Sequence, residues 1–134
     1  MYAVPATRPV TARLVRLVAP LTSITGLEKQ LQHSLKLAVC SFDCQDTRIH
    51  LLDTPGYLDF QGDAIAGLAA ADGALVVVGA TAGVEVGTER MFREALERRD
   101  PVLFVASMMD KENASFERVY RDIKQRLTSK VVPV

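Results

Sequence analysis

The segment RIHLLDTPGYLDF, residues 48–60, decides the fold of this chain. Its apolar first half predicts a short strand, and Asp-Thr-Pro-Gly at 53–56 ends that strand sharply. Asp53 lies at the strand's predicted C-terminal end, where α/β sheets bind ligands, and an aspartate there can hold Mg²⁺, usually through water. Gly56 lets a backbone amide approach a ligand closely and sense a terminal phosphate, because γ-phosphate contacts order switch loops. Taken alone, the tetrapeptide is more often plain turn chemistry.

The composition favours a soluble globular protein over a disordered one. The chain has 134 residues, which suits one domain. Apolar residues make up 49% of it, and 16 basic residues balance 16 acidic ones. Because the net charge is zero, no general field attracts nucleic acid or membrane, so any RNA contact would be local. We find no apolar run long enough to span a bilayer.

The first 27 residues are rich in arginine and contain no acidic residue. An apolar run at 14–18 predicts a first strand before Pro20. Two alternatives stay open: the composition also resembles an organelle transit peptide, and the segment could adapt the start of a truncated chain. We therefore leave residues 1–27 unassigned and expect one domain at 28–134.

Residues 35–52 predict an antiparallel hairpin. Leu35, Leu37 and Val39 alternate with their neighbours at the period of two that marks a strand. Residues 44–47 suit a turn, and residues 48–52 return along the first strand.

Helical and strand patterns alternate after residue 56. Gly73 is the expected C-cap of the first helix, Leu96 is expected to face inward from the second, and Ser115 is expected to cap the third. Two continuous apolar runs predict strands that are buried on both faces. The expected helices cover 60–71, 88–99 and a stretch from 116, and the expected strands cover 74–78, 102–106 and a last one from 131.

This order predicts an α/β fold, a doubly wound, mostly parallel sheet with flanking helices. In such a fold the ligand loops gather at the C-terminal ends of the strands. Those loops would be residues 20–26, 53–57, 79–83 and 107–111.

Three segments together resemble the GTPase domain of elongation factor G and, more loosely, the other translational GTPases of that group, including the elongation-factor-G-like proteins. They are FDCQDTRIHLLDTPGYLDF at 42–60, ADGALVVVGATAGVEVGTE at 71–89 and VLFVASMMDKENASFERV at 102–119. The resemblance covers roughly residues 30–134 in the family's order and spacing. It implies a P-loop GTPase-type G domain that binds GTP or GDP with Mg²⁺ and acts on the ribosome in cytoplasmic protein synthesis.

The resemblance implies roles for four residues around the two predicted strands. Asp53 matches the aspartate that holds Mg²⁺ through water, and Gly56 matches the glycine whose amide senses the γ-phosphate. Tyr57 stands where the ribosome-stimulated enzymes usually carry the histidine that positions the attacking water. A tyrosine can hydrogen-bond a water but is a poor base near neutral pH. Alternatively, Tyr57 packs on the following helix. Ser34 falls near the Mg²⁺-binding threonine of the first switch, although Gln32-His33 replaces the usual Gly-Ile.

The guanine-reading motif of the family, Asn-Lys-x-Asp, matches residues 107–110 in degenerate form. Asp110 keeps the aspartate that takes the two ring N–H groups. Ser107 is a shorter anchor than asparagine, and Met108 brings no charge to the base. Selectivity that depends on buried hydrogen bonds needs every partner, so guanine preference should be weakened.

Other family features are absent from the sequence. The chain has no Gly-Lys-Ser/Thr of a phosphate loop, much of the first switch has no counterpart, and the last base-contacting loop lies beyond Val134. We expect an incomplete G domain that binds and hydrolyses GTP poorly. The alternative is a non-catalytic remnant of that domain that serves as an interaction module or is a truncated gene product. A third idea is that a partner chain completes the site. Exposed sheet edges would invite self-association.

Overall fold

The computed structural model describes residues 34–45 and 47–134. The elements alternate as the sequence predicts, with a hairpin before an alternation of helices and strands. The strands are β1 (Ala38–Cys44), β2 (Thr47–Asp53), β3 (Ala74–Gly79) and β4 (Val102–Ser107). The helices are α1 (Gln61–Ala70), α2 (Val86–Arg98) and α3 (Phe116–Arg126), and a short 3-10 turn (Leu58–Phe60) precedes α1.

The predicted hairpin is confirmed. Strands β1 and β2 pair antiparallel with Ala38 opposite Asp53 and Cys44 opposite Thr47. Gln45 takes φ of 54° in the turn between them, a left-handed conformation that reverses the chain tightly. The first strand begins at Ala38 and not at Leu35.

Strands β3 and β4 form a parallel pair, with Ala74 opposite Val102 and Gly79 opposite Ser107. In the described residues this pair and the β1–β2 hairpin are two separate two-stranded sheets. The chain between β2 and β3 passes through α1, and the crossover between the parallel strands β3 and β4 passes through α2, as such a connection requires. The α/β class is as predicted.

The core lies between the β3–β4 pair and α3. Its fully buried side chains include Val78 of β3 and Val119 of α3. Asp122 of α3 accepts a hydrogen bond from the Val84 amide at 2.6 Å, and Arg126 pairs with Glu89 of α2 at 2.7 Å. These contacts hold α3 against the start of α2, so that the loops after β3 and β4 have a fixed support.

One face of the parallel pair is open, which corrects the prediction that both strands are buried on both faces. Leu75 is 39% exposed, Val77 is 48% exposed and Leu103 is 49% exposed. The alternate side chains Val76 and Phe104 pack on the core. In the described part of the chain the helices cover only this second face, so the continuous apolar run does not mark a strand buried on both sides.

Other sequence predictions have mixed outcomes. Ser115 caps α3 as predicted, since its Oγ accepts a hydrogen bond from the Arg118 amide at 3.3 Å. Ala71 and not Gly73 is the C-cap of α1, and it is extended. Leu96 is exposed on α2 rather than inward, and no strand forms at 131–134.

The strand predicted at 14–18 and the loop predicted at 20–26 lie outside the described residues. Within 34–45 and 47–134, none of the helices combines the length and apolarity needed to cross a membrane.

Candidate functional site

The first part of the candidate site is a contact between Ser34 and Asp53. Asp53 is the last residue of β2, and the Ser34 Oγ donates a hydrogen bond to its Oδ2 at 3.3 Å. Both residues are half-buried. Two residues that the sequence placed 19 positions apart are thus neighbours at the end of one strand.

The segment that carries Ser34 is tied to helix α1. The Leu37 amide donates to Oδ2 of Asp63 at 3.0 Å, and Ala38 is paired with Asp53 in the hairpin. Sequence reasoning missed Asp63. An acidic side chain in the first turn of a helix is favoured by the helix dipole, and this signal does not indicate that Asp63 accepts an amide from another segment.

The Ser34 and Asp53 pair has the donor chemistry that Mg²⁺ prefers. Mg²⁺ takes hard oxygen ligands, and proteins usually provide one or two of them while phosphates and water complete the shell. A hydroxyl and a carboxylate meet this requirement. In the described residues no group of three or more His, Cys, Asp and Glu side chains converges as a separate metal centre.

Gly56 and Tyr57 follow in an exposed turn. Pro55 is buried and anchors the turn, whereas both Gly56 and Tyr57 face solvent. Among the described residues, apart from its two chain neighbours, no atom lies within 4 Å of where a Gly56 Cβ would be, so a ligand has room to approach there. The Tyr57 carbonyl accepts from the Phe60 amide at 3.0 Å, which starts the turn that leads into α1.

The second part of the site is the loop that follows β4. Ser107 ends that strand, and its Oγ donates to the Val78 carbonyl at 3.4 Å, so its side chain is turned towards β3. Met108 has φ of 56° and is 57% exposed. Asp110 is also exposed, and the loop closes through a hydrogen bond from the Lys111 amide to the Met108 carbonyl at 3.2 Å.

Arg118 joins this loop to the one after β3. Its Nη2 donates to the carbonyls of Ala80 at 2.8 Å, Thr81 at 3.0 Å and Asn113 at 3.1 Å. Sequence reasoning missed Arg118, because its position beside the Ser115 cap shows a helix start but not the three carbonyls that converge there.

A cavity of about 1220 Å³ lies next to the first part of the site. It is bordered by the end of β2 and the turn after it, by α1, by the first part of β3 and by the start of α2. Its lining includes Asp53, Gly56 and Tyr57, whereas Ser107, Met108 and Asp110 are not in it. The structure therefore brings Ser34, Asp53, Gly56 and Tyr57 to one region and places the 107–110 loop at the end of the other sheet.

The sequence profile of the family described as elongation factor Tu GTP binding domain matches residues 10–133. The chain belongs to this family of translational GTPase G domains. The family's description names GTP binding, and both parts of the candidate site lie within the matched residues.

Curated relatives agree with this family assignment. An elongation factor G-like protein of Thermotoga maritima is 37% identical over 81% of the chain, which corresponds to 16% of that protein. The mitochondrial ribosome-releasing factor 2 of Culex quinquefasciatus is 40% identical over 72% of the chain and 13% of its own length. The tetracycline resistance protein TetO of Streptococcus mutans is 31% identical over 83% of the chain and 17% of its own length. The chain thus spans 13–17% of the length of these relatives.

Solved structures show the same fold. A crystal structure of a Thermus thermophilus protein superposes with a TM-score of 0.73 and 36% identity, and the match covers 79% of this chain and 16% of that one. The translation elongation factor SelB of Methanococcus maripaludis, solved with the GTP analogue GppNHp, superposes with a TM-score of 0.62 over 83% of this chain and 22% of its own. At 22% identity, the second match supports only the assignment of the fold.

Proposed function

We propose that this chain is a guanine-nucleotide-binding G domain of an elongation-factor-G-like GTPase of protein synthesis, and that it binds and hydrolyses GTP weakly. The observation that carries the proposal is the 3.3 Å contact between Ser34 and Asp53 at the end of β2. It supports a retained site for Mg²⁺ and phosphate, although the residues that read the base are degenerate.

The residues of the first part of the site have distinct roles in this proposal. Asp53 and Ser34 would hold Mg²⁺, which neutralises charge on the phosphates when it is bound. Gly56 offers its open backbone amide to the terminal phosphate. Tyr57 would orient a water through its hydroxyl.

Weak binding follows from what the sequence lacks. Phosphoryl transfer is catalysed chiefly by positioning and by charge stabilisation, and the chain has no Gly-Lys-Ser/Thr to provide them. Each charge-assisted hydrogen bond that a phosphate loop would make contributes about 1.5–3 kcal/mol. Several such losses reduce affinity by orders of magnitude.

Recognition of guanine depends on Asp110 in this proposal. Its exposed carboxylate suits a bidentate contact with the two ring N–H groups of guanine. Ser107 is turned towards the Val78 carbonyl, and the exposed Met108 side chain offers only an apolar contact to the base. Discrimination against adenine is therefore present but small.

The ribosome is the proposed partner, through relatives that are named as an elongation factor G-like protein and a ribosome-releasing factor. The chain spans only 16% of the first protein and 13% of the second. We therefore propose ribosome binding for translational GTPases of this kind and assign it to no particular surface of this domain. The cytoplasm is the proposed site of action.

Titration of the purified chain with a fluorescent GTP analogue tests the proposal. We expect Mg²⁺-dependent binding in the high micromolar range, displaced by GTP at lower concentration than by ATP. Asp110→Ala should abolish this difference between GTP and ATP, whereas the matched change Asp59→Ala in an exposed position should keep it. Absence of Mg²⁺-dependent binding at millimolar nucleotide would contradict the proposal.

The second candidate function is a non-catalytic G-domain remnant that acts as an interaction module. The absence of a Gly-Lys-Ser/Thr motif from the sequence favours it. In that case the titration shows no nucleotide binding, and the stability of the chain, measured by thermal unfolding, is unchanged by GTP and Mg²⁺ at any concentration.

A further inference from the structure

Helix α1 holds the segment that precedes β1 through one of its faces. Asp63 and Gly67 lie four residues apart on α1, so they share a face of the helix. The Leu37 amide donates a hydrogen bond to Oδ2 of Asp63 at 3.0 Å. A Cβ at Gly67 would lie 3.0 Å from Leu37 Cδ1, so the Leu37 side chain packs closely against the helix at this glycine. Both the backbone and the side chain of Leu37 are therefore held by α1.

The same face of α1 contacts the other end of the hairpin. A Cβ at Gly67 would lie 2.7 Å from Cγ2 of Thr54, and Thr54 follows Asp53, the last residue of β2. Gly67 is buried, so it receives the chain on both sides of the hairpin where a larger side chain would displace it. We call Asp63 and Gly67 the helix seat. It contacts the chain shortly after Ser34 and directly after Asp53.

Ser34 lies beyond the part of the hairpin that the β1–β2 ladder orders. The ladder begins with the pair of Ala38 and Asp53. The hydrogen bond from Ser34 Oγ to Asp53 Oδ2 is 3.3 Å long, whereas a hydroxyl usually approaches a carboxylate to about 2.5–2.7 Å. The bond from the Leu37 amide to Asp63 has the length usual for a backbone donor, and its acceptor is charged, which strengthens it. The helix seat is therefore the stronger of the two restraints on this segment.

We propose that Asp63 is a positioning residue of the magnesium and nucleotide site. Through the Leu37 backbone, it sets the Ser34 hydroxyl beside the Asp53 carboxylate before any ligand binds, so that the two oxygen groups need no rearrangement to meet Mg²⁺. Groups that orient metal ligands in this way affect metal affinity without touching the metal. The use of the site rests on the proposed function, whereas the positioning belongs to the chain without nucleotide and is measured there.

A purely local role of Asp63 predicts different variant behaviour. An acidic residue in the first turn of α1 also interacts favourably with the helix dipole, and that effect requires the charge. Positioning requires an acceptor for the Leu37 amide at the same distance from the helix. Asp63→Asn keeps an acceptor of the same length and loses the charge, whereas Asp63→Ala loses both. Positioning therefore predicts that the asparagine variant resembles the parent, and the dipole role predicts that it resembles the alanine variant.

Hydrogen exchange of the Leu37 amide in the nucleotide-free chain, followed by NMR, is the first test. We expect this amide to exchange at least about tenfold more slowly than in an unstructured peptide. Asp63→Ala should remove the protection and Asp63→Asn should keep most of it. The matched change Asp59→Ala, at an exposed acidic residue just before α1, should have no effect. Unchanged exchange of Leu37 in Asp63→Ala would overturn the proposal, and so would equal loss in the alanine and asparagine variants.

The second test is a double-mutant cycle with Ser34, measured by titration of a fluorescent GTP analogue with Mg²⁺ and with EDTA. We expect Asp63→Ala to lower the affinity about fivefold in Mg²⁺ and to leave the affinity in EDTA unchanged. In a Ser34→Ala background the same change should have no further effect, because its action passes through the Ser34 hydroxyl.

Equal losses in Mg²⁺ and in EDTA, or losses that add in the double variant, would mean that Asp63 supports the fold in general and would overturn the positioning role. If the parent chain binds no nucleotide, the proposed function fails, and the exchange of the Leu37 amide decides on the restraint by itself. If Asp63→Ala does not fold by circular dichroism, the comparison of Asp63→Asn with the parent decides, since rapid Leu37 exchange in that variant contradicts the proposal.

Discussion

Ser34 Oγ donates a hydrogen bond to Oδ2 of Asp53 at 3.3 Å. Ser34 precedes the hairpin and Asp53 ends it, so the pairing of β1 with β2 brings the two together. The anchor from the Leu37 amide to Asp63 keeps the Ser34 segment beside this strand end. The register of the β1–β2 hairpin and the contact with helix α1 thus position the Ser34 hydroxyl and the Asp53 carboxylate, two oxygen groups suited to Mg²⁺.

Replacing Ser34 tests this arrangement. Ser34→Ala removes one of the two oxygen groups, and we expect Mg²⁺-dependent nucleotide affinity to fall by about tenfold, or ~1.4 kcal/mol. Ser34→Thr keeps the hydroxyl and should retain most of the affinity. The measurement is a nucleotide titration at several Mg²⁺ concentrations. Ser129→Ala, at an exposed site, is the control, and equal affinities for Ser34→Ala and the parent would contradict the role of Ser34.

Rebuilding the base-reading loop should increase guanine selectivity. We expect Ser107→Asn with Met108→Lys to raise GTP affinity at least about tenfold, because the asparagine organises the loop and the lysine stem lies along the base. Lysine replaces a methionine that already has φ of 56°, so the backbone does not change. Competition of the fluorescent analogue by GTP and ATP measures the outcome.

The matched control for this gain is Ser107→Asn with Met109→Lys. It adds the same charge one residue later, at a side chain that is also exposed. We expect no gain in selectivity from it. If both double variants raise GTP and ATP affinity equally, general charge and not base recognition explains the effect.

Arg118 should support both loops at the ends of β3 and β4. Arg118→Ala leaves three carbonyl acceptors without this donor, including that of the fully buried Ala80, and we expect the free energy of unfolding to fall by roughly 1–2 kcal/mol. Arg118→Lys should recover only part of the loss, since a single ammonium does not reproduce the planar guanidinium. Arg121→Ala, exposed on the same helix, is the control in denaturant unfolding. Equal stabilities of the two alanine variants would refute the support role.

Two glycines of α1 should respond in opposite ways to alanine. A Cβ at Gly67 would lie 2.7 Å from Thr54 Cγ2 and 3.0 Å from Leu37 Cδ1, so Gly67→Ala should destabilise the chain by about 1–3 kcal/mol. Outside the helix's own backbone and the chain neighbours, no atom of the described residues lies within 4 Å of the Gly62 Cβ position, and Gly62→Ala should stabilise by about 0.5–1 kcal/mol. Thermal unfolding measures both, and destabilisation by Gly62→Ala would mean that helix propensity is not the controlling factor there.

Local patterns in the sequence determined much of the fold by themselves. The apolar runs at 74–78 and 102–106 identify two strands. The period of two around residues 35–39 indicates a strand in that region but not its start, which lies at Ala38. The helix of residues 116–126 follows from its apolar stripe and from the Ser115 cap. The resemblance to elongation factor G likewise depends only on the order of residues along the chain.

The tertiary structure alone decided which residues meet and which faces are covered. Three contacts join segments that are distant in sequence. Ser34 meets Asp53, the Leu37 amide binds Asp63, and the carbonyls of Ala80 and Thr81 converge on Arg118. The exposure of Leu75 and Val77 could not be read from an apolar run, because hydrophobicity shows that a side chain can be buried but not whether another element covers it. Whether a side chain is buried depends on whether another element packs against it, and the arrangement of those elements is set by the whole fold.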